Sequence, residues 1–412
     1  MKKLILLTMI CLIAGVAQAE VPLTGKGEIE DIAGVPGKRA YSGDGSDALK
    51  AHFASPMGIA EDRWHNIYIA DTLNHRVRRV DVRSGFVDTL AGIDRSGFFN
   101  DGGHADMASL KGPTALVFDK FGNLFIADTG NNRIRMVTPK GYIYTVAGDG
   151  RRGYNGEGTK ATASPLNSPM GLAISPTGEI YIADTGNNRI RRINRSTGLL
   201  ETVVGTGIPG DDGDDGLAAD AQLNKPTAIL FDKHGNLFIA DTRNHKIRFV
   251  DHKSKRIFTI AGDGTEGYKG DNDGRSRDAW FNDPTGLAID RLGRIYVSDT
   301  DNQRIRRITI DVPRRKSYVE TVVGNGVRGY NGDDMDSWDV YLAYPGAMYI
   351  SDWDMLYFVD VGNNVIRRVQ DISKVYPPTS YSSYGQPAEE TDSRTFYEVL
   401  FKPQMEAMQM EK

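Results

Sequence analysis

The chain has 412 residues, 50 basic and 54 acidic, and a formal charge of −4. A mildly acidic balance does not advertise a polyanion partner, so nucleic acid is set aside. The single cysteine, Cys11, rules out a disulfide framework.

Residues 1–19 begin Met1-Lys2-Lys3, continue through an apolar run from Leu4 to Val16 and end Ala17-Gln18-Ala19. This is the pattern of a secretory signal peptide with cleavage after Ala19. The run is too short for a membrane span, which needs about 20 apolar residues. The expected location is therefore periplasmic or extracellular. Cys11 leaves with the signal, and a cysteine-free mature chain suits an oxidising compartment. Removing Lys2 and Lys3 leaves 48 basic residues against 54 acidic ones.

From residue 28 to 370 one unit recurs. Its clearest copy is Ile182-Ala183-Asp184-Thr185-Gly186-Asn187-Asn188-Arg189-Ile190-Arg191-Arg192-Ile193. Its aspartate returns as Asp71, Asp128, Asp184, Asp241, Asp299 and Asp360. A period of roughly 57 residues signals a repeat architecture. In the third copy, Met170 to Ile174, Ile180 to Ala183, Arg189 to Ile193 and Leu200 to Val204 read as four short strands separated by turns. Such a sheet cannot cover both its faces alone. Six arranged radially solve that problem, so the expected fold is all-β, a six-bladed β-propeller spanning residues 20–370. Glu28 to Ala33 resembles a fourth strand that precedes the first complete copy, while the sixth copy lacks one. The amino-terminal strand is therefore expected to complete the last blade and close the ring.

The running pattern P-x-G-x-A-x-D-x-x-G-x-I-Y-I-A-D-T-x-N-x-R-I-R resembles the NHL repeat, with Asn74-His75, Asn187-Asn188 and Asn244-His245 on its signature. The resemblance covers roughly residues 28–370 and implies a six-bladed NHL propeller, a fold used mostly for interactions. Residues 371–412 read as an irregular tail, in which Phe396 to Phe401 could dock on the propeller.

The aspartates of the repeated turns are expected to make Asx-turns. Arg78, Arg135, Arg191, Arg248, Arg306 and Arg367 hold one strand position in every copy. As buried charges between blades, they need carboxylate or carbonyl partners.

Long Gly/Asp-rich loops join each fourth strand to the next blade, on the same face as the Asp-Thr-x-Asn turns. Long loops on a rigid scaffold usually carry function. Candidate binding-face residues there are Tyr41, Asp44, Phe99, Asp101, Tyr154, Glu157, Asp211, Asp212, Tyr268, Asp271, Tyr330 and Asp333. The fourth copy departs, with Asp211 to Asp215 and no aromatic residue. No cofactor is expected, although Asp211 to Asp215 and Asp271-Asn272-Asp273-Gly274 approach the composition of calcium loops, so Ca2+ or another divalent ion is possible.

The leading expectation is a non-enzymatic, monomeric binding scaffold for a protein, peptide or glycan. The alternative is a metal-dependent hydrolase or lyase of the gluconolactonase or amidating-lyase kind, with Asn167, Asn224, Asn282 and Asp283 around an ion at the channel mouth. The seven histidines show no metal-ligand spacing, and no G-x-S-x-G, P-loop or H-E-x-x-H motif occurs.

Overall fold

The computed structural model describes residues 27–271, 274–311 and 316–375. The signal-peptide reading and Phe396 to Phe401 lie outside them. Six antiparallel sheets form six blades. Blade one holds Gly58–Glu61, Ile67–Asp71, Arg76–Val80 and Phe86–Ala91, and blades two to five repeat that order. The six innermost strands touch in cyclic sequence, with Pro345–Ile350 of blade six returning to Gly58–Glu61. The propeller expected from the repeat is therefore present.

Second strands such as Ile67–Asp71 and Leu237–Asp241 are buried at all five positions. Their near-continuous apolar text reflects coverage on both faces rather than on one. One apolar cluster fills each junction between blades. Ala70 and Val77 of blade one, for example, pack with Leu116 and Ile126 of blade two. Each junction combines apolar residues of two blades with those of the connecting loop, which excludes water from the seam and supplies the main driving force for the ring.

Glu28–Ala33 pairs with Val365–Val369, through Ile29 opposite Val369 and Asp31 opposite Arg367. The first strand of the chain thus completes the last blade, as expected.

The long loops differ from the expectation of free connections. Their Ser46–Asp47, Thr159–Lys160 and Met335–Asp336 segments add a fifth strand to the outer edges of blades one, three and six. Blades two, four and five receive isolated bridges instead, including His104 to Tyr142 and Leu217 to Arg256. In blades one to four a short 3-10 turn follows and buries an alanine, as at Ala48, Ala105 and Ala161, while Ser276 and Ser337 are the residues buried there in blades five and six. Propeller edges that would otherwise expose unpaired backbone are blunted this way.

The beginning of the expected tail is ordered onto the propeller. Ile372–Lys374 forms a 3-10 turn, and the Ser373 hydroxyl donates to Asp354 while Arg294 donates to the Ser373 carbonyl at 3.1 Å.

Deleting residues 28–33 is expected to remove the cooperative thermal transition, because it strips Ile29 and Ala33 from two seams at once. An unchanged melting curve by circular dichroism would refute closure by this strand.

Candidate functional site

Each repeated turn begins with a fully buried aspartate. In blade three, Asp184 Oδ1 accepts the Asn167 backbone N–H at 2.8 Å, and Oδ2 accepts Asn187 Nδ2 at 2.8 Å. Arg191 Nη1 stands 3.6 Å from the same Oδ2. The same arrangement recurs around Asp71, Asp128, Asp241, Asp299 and Asp360. The expected Asx-turn is therefore replaced by longer-range bonds to the entering loop, a capping asparagine and the arginine. Burial pushes Asp71, Asp128, Asp184, Asp241 and Asp299 up to about 6, and Asp360 to about 7, against the pull of these donors.

Every one of the six arginines is fully buried. A second carboxylate, from the entering loop, meets each of the first five. Arg78 pairs with Asp44 at 2.5 Å, Arg135 with Asp101 at 3.0 Å and Arg306 with Asp271 at 2.7 Å. Arg248 pairs with Asp214 at 2.8 Å, and Glu157 lies 3.7 Å from Arg191. In the closing blade Asp31 of the amino-terminal strand takes this role at 3.0 Å from Arg367. Burial of Asp44 and Glu157 would raise their pKa values, yet bonds from Thr89 or Thr202, a tyrosine and the arginine hold both below the usual range.

The loop aromatics belong to the same construction. Tyr41, Tyr154 and Tyr268 donate to Asp44, Glu157 and Asp271 at 2.7, 2.7 and 2.6 Å, and Tyr330 donates to Asp31 at 2.6 Å. Arg76, Arg189 and Arg304 stack over the first three rings at 3.9, 4.0 and 4.2 Å. In blade two this place falls to Phe98, under Arg133 at 3.9 Å, while Phe99 is 60% exposed. The spacing from Gly97, matched against Gly153 before Tyr154, carried that signal. Blade four replaces the stacked pair with Asp211 and Lys246, 2.5 Å apart. Asp212 and Asp333 are exposed, the latter accepting the Asp31 N–H at 3.5 Å. Most of the candidate loop residues thus use their polar tips to hold the scaffold.

The two residues ending each turn act as ties. The first, Asn74, Asn131, Asn187, Asn244, Asn302 or Asn363, donates to a carbonyl of its own entering loop, such as Gly153 at 2.7 Å from Asn187. The second reaches the next blade. Asn132 Oδ1 accepts the Ser168 N–H at 2.9 Å, Asn188 that of Lys225 at 2.9 Å, and Asn364 that of Ser55 at 2.8 Å. His75 Nδ1, His245 Nδ1 and Gln303 Oε1 do the same for Gly112, Asp283 and Tyr344. The turn threonines add a bond across the seam, such as Thr185 to the Pro226 carbonyl at 2.7 Å. Val361 stands in the threonine position of blade six and cannot make one.

The tied residues form the rim of the channel. Ser55, Gly112, Ser168, Lys225, Asp283 and Tyr344 all precede a proline and all have φ between 47° and 55°. A residue before proline prefers extended backbone, and non-glycine residues at positive φ are uncommon. Five such residues are held there by the tie to the neighbouring blade. Below the rim a cavity of about 310 Å³ is lined by Met57, Thr114, Met170, Thr227 and Thr285, with Leu116 and Leu172 deeper in.

The four residues expected to surround an ion do not line this cavity. Asn167 Oδ1 accepts Arg152 Nε at 2.6 Å, the backbone N–H groups of Asn224 and Asn282 serve Asp241 and Asp299, and Asp283 pairs with Arg243 at 2.9 Å. Among the described residues no group of three or more histidine, aspartate or glutamate side chains converges as a metal site. Asp211 and Asp214 of the calcium-like loop face Lys246 and Arg248, and Asn272 and Asp273 lie outside the described residues.

The arrangement defines a six-bladed propeller of repeated blade units, with variable residues around one mouth. Residues 166–193 and 281–308 match the NHL repeat. The chain is 33% identical over 276 residues to protein SUPPRESSOR OF QUENCHING 1 of Arabidopsis thaliana, covering 63% of this chain and 25% of that protein. It is 30% identical over 293 residues to NHL repeat-containing protein 2 of Bos taurus, covering 64% of this chain and 40% of that one. The chain thus spans well under half the length of these relatives. A solved structure of an auxiliary nutrient binding protein from Bacteroides thetaiotaomicron shares the fold, with 16% identity, 83% and 76% coverage and a TM-score of 0.60. The protein is an NHL-repeat six-bladed β-propeller.

Two measurements test the frame. Arg248→Met, which leaves Asp241 buried and unpaired, should cost ~3–5 kcal/mol in chemical denaturation. Asp214→Asn, at a partly exposed carboxylate, should cost nearer ~1 kcal/mol. Equal losses would contradict the assignment of Asp241 as the buried partner.

Burial holds the His75 pKa below its usual value, and Lys111 and Arg76 add to the effect. Its neutral Nδ1 accepts the Gly112 N–H, so the unfolded chain takes up this proton first. The stability it contributes is present above the ordinary histidine pKa and is lost as pH falls below it. His75→Asn, which installs the residue found in blades two, three and six, should lose less stability than wild type on going from about pH 7 to about pH 5. Parallel curves would remove His75 from this role.

Proposed function

We propose that the protein is a non-enzymatic binding scaffold, exported by its amino-terminal signal sequence, that takes a protein, peptide or glycan partner at the mouth on its long-loop face. One observation carries this reading. The six rim positions share a backbone conformation and a tie to the adjacent blade, yet bear Ser55, Gly112, Ser168, Lys225, Asp283 and Tyr344. A frame needs none of that side-chain variety. The next tier out, Leu73, Arg243 and Asp301 among them, varies too. Exposed Phe99 and Asp212 extend the surface outward.

The cavity beneath the rim is floored by aliphatic side chains, and its Thr114 and Thr227 hydroxyls already bond neighbouring groups. Its size and lining suit one apolar side chain of a partner, with polar contacts made around the rim. The hydrolase or lyase alternative draws no support from these walls. The fold shared with an auxiliary nutrient binding protein supports a scaffold that carries ligands, and at that identity it speaks to the scaffold alone.

The rim can be altered without touching the frame, because its ties are made by backbone N–H groups. A Lys225→Ala/Arg243→Ala/Tyr344→Ala variant is expected to stay folded, losing about 1 kcal/mol at most with the Arg243–Asp283 ion pair and about 0.5 kcal/mol or less at each of the other two sites. It should lose at least about tenfold in affinity for a partner captured from an extracellular or periplasmic fraction, read by calorimetry. Full affinity in this variant would move the site off the mouth. Point variants are preferable to shortening 151–158 or 211–215, because those segments carry the carboxylates that pair with Arg191 and Arg248.

A further inference from the structure

The face opposite the long loops carries a second feature that the frame does not require. There, the turn between the first two strands of each blade has the same form in all six copies. Asp62 Oδ1, for example, accepts the Trp64 and Asn66 N–H groups at 2.8 and 3.0 Å, and Asp119 Oδ1 accepts those of Phe121 and Asn123 at 2.9 Å each. The third residue of this turn is Trp64, Phe121, Thr177, His234, Leu292 and Trp353 in blades one to six. Threonine, histidine and leucine serve the turn as well as an aromatic residue does. Yet Trp64 and Phe121, on adjacent blades, are 53% and 61% exposed. An aromatic side chain left in water forgoes stabilisation that its burial would supply. On the far side of blade one, Trp353 is stacked on His65 at 3.9 Å.

Between Trp64 and Phe121 lies a pocket of about 320 Å³. Phe118 and Leu124 line its apolar part, and Arg63, Arg79 and Lys120 supply its cations. Its two acidic residues are already committed. Besides the turn N–H groups, Asp62 Oδ2 accepts Asn66 Nδ2 at 2.9 Å and the Tyr68 hydroxyl at 3.1 Å, and Asp119 Oδ2 accepts Asn123 Nδ2 at 2.7 Å. The positive groups are far less engaged. Arg63 lies over the Trp64 ring at 4.1 Å and Lys120 over Phe121 at 5.3 Å, and no carboxylate among the described residues pairs with either. Arg79 lies in hydrogen-bonding contact with the Tyr68 hydroxyl, and its carboxylate partner is the exposed Asp88 at 3.8 Å, a separation at which an exposed pair contributes little. Apolar walls edged by three cations, with the two lining carboxylates turned to their own turns, favour a ligand that is apolar in body and anionic at one end.

We propose that this pocket is a second binding site, separate from the mouth, for a small organic anion with an aromatic or branched apolar body. The ring inserts between Trp64 and Phe121, and the anionic group faces Arg79 and Lys120.

The test is calorimetric titration of the full chain with 3-phenylpropionate, and with 3-phenylpropan-1-ol as a neutral counterpart of nearly the same shape. The acid should bind saturably at one site, weaken with added salt, and bind at least about tenfold tighter than the alcohol. Phe121→Thr, which installs the residue of blade three, and Arg79→Gln should each weaken it about tenfold or more with unchanged melting temperatures. Trp64→Phe should keep the affinity while abolishing ligand-induced quenching of tryptophan fluorescence. The rim variant Lys225→Ala/Arg243→Ala/Tyr344→Ala should bind as wild type does, which separates this site from the mouth. No saturable binding up to about 10 mM, equal affinity for acid and alcohol, or full affinity in folded Phe121→Thr and Arg79→Gln would each overturn the proposal.

Discussion

A buried carboxylate at the start of each repeated turn is the constraint on which the propeller depends. Asp184 joins three pieces of chain: the entering loop through the Asn167 N–H, its own turn through Asn187, and the third strand through Arg191. Desolvating a carboxylate is costly, and desolvating an arginine beside it costs more. The loop acid and the ring of Tyr154 replace part of the solvation that water would have given, while Arg191 Nε and Nη1 keep no hydrogen-bond partner among the described residues. An apolar pair of equal volume could pack as tightly, but it could not specify where the loop lies. The network therefore sets position as much as stability.

That positioning reaches the function through the turn's last two residues. Asn187 fixes the loop of its own blade, and Asn188 fixes the first residue of the next blade's rim. The polar side chains at the end of each turn, asparagine, histidine or glutamine, are thus both a turn and a tie between blades. Because the ties use backbone N–H groups, the rim side chains are released from structural duty. A ring of rigidly presented, chemically unlike residues is what a recognition surface requires. The opposite face follows the same logic on a smaller scale, since the Asp62 and Asp119 turns hold the backbone and leave Trp64 and Phe121 free.

Internal repetition also lets the chain serve as its own comparison. Where blade four exchanges the stacked aromatic and arginine for Asp211 and Lys246, the interaction changes from ring stacking to an ion pair at the same place. Where blade six carries Asp31 in the position of Thr89 and Thr202, that acid meets Arg367, and the loop acid Asp333 is left exposed. Closing the ring with a strand from the other end of the chain thus brought its own carboxylate to the arginine.

The repeat, the four strands of each blade, closure by Glu28 to Ala33 and the paired state of the six arginines were legible in the text of the chain. They follow from local pattern: strand periodicity, turn chemistry and the cost of an unpaired buried charge. The destinations of the loop residues were not legible. Tyr41, Asp44, Tyr154 and Glu157 look like an exposed recognition surface in one dimension, because polar and aromatic loop residues carry no mark of what they will meet. Only the folding of each loop back onto its own blade, as an edge strand, brought them to the arginines. For the same reason Phe98 rather than Phe99 took the stacked place, Asn167, Asn224 and Asn282 were drawn to loop and turn partners, and Asp283, on the rim, was taken up by Arg243. Sequence alone determined the frame, since a frame is made of short-range preferences repeated six times. Tertiary structure decided which residues are left over for function, since that depends on which side chains the closed ring has already used.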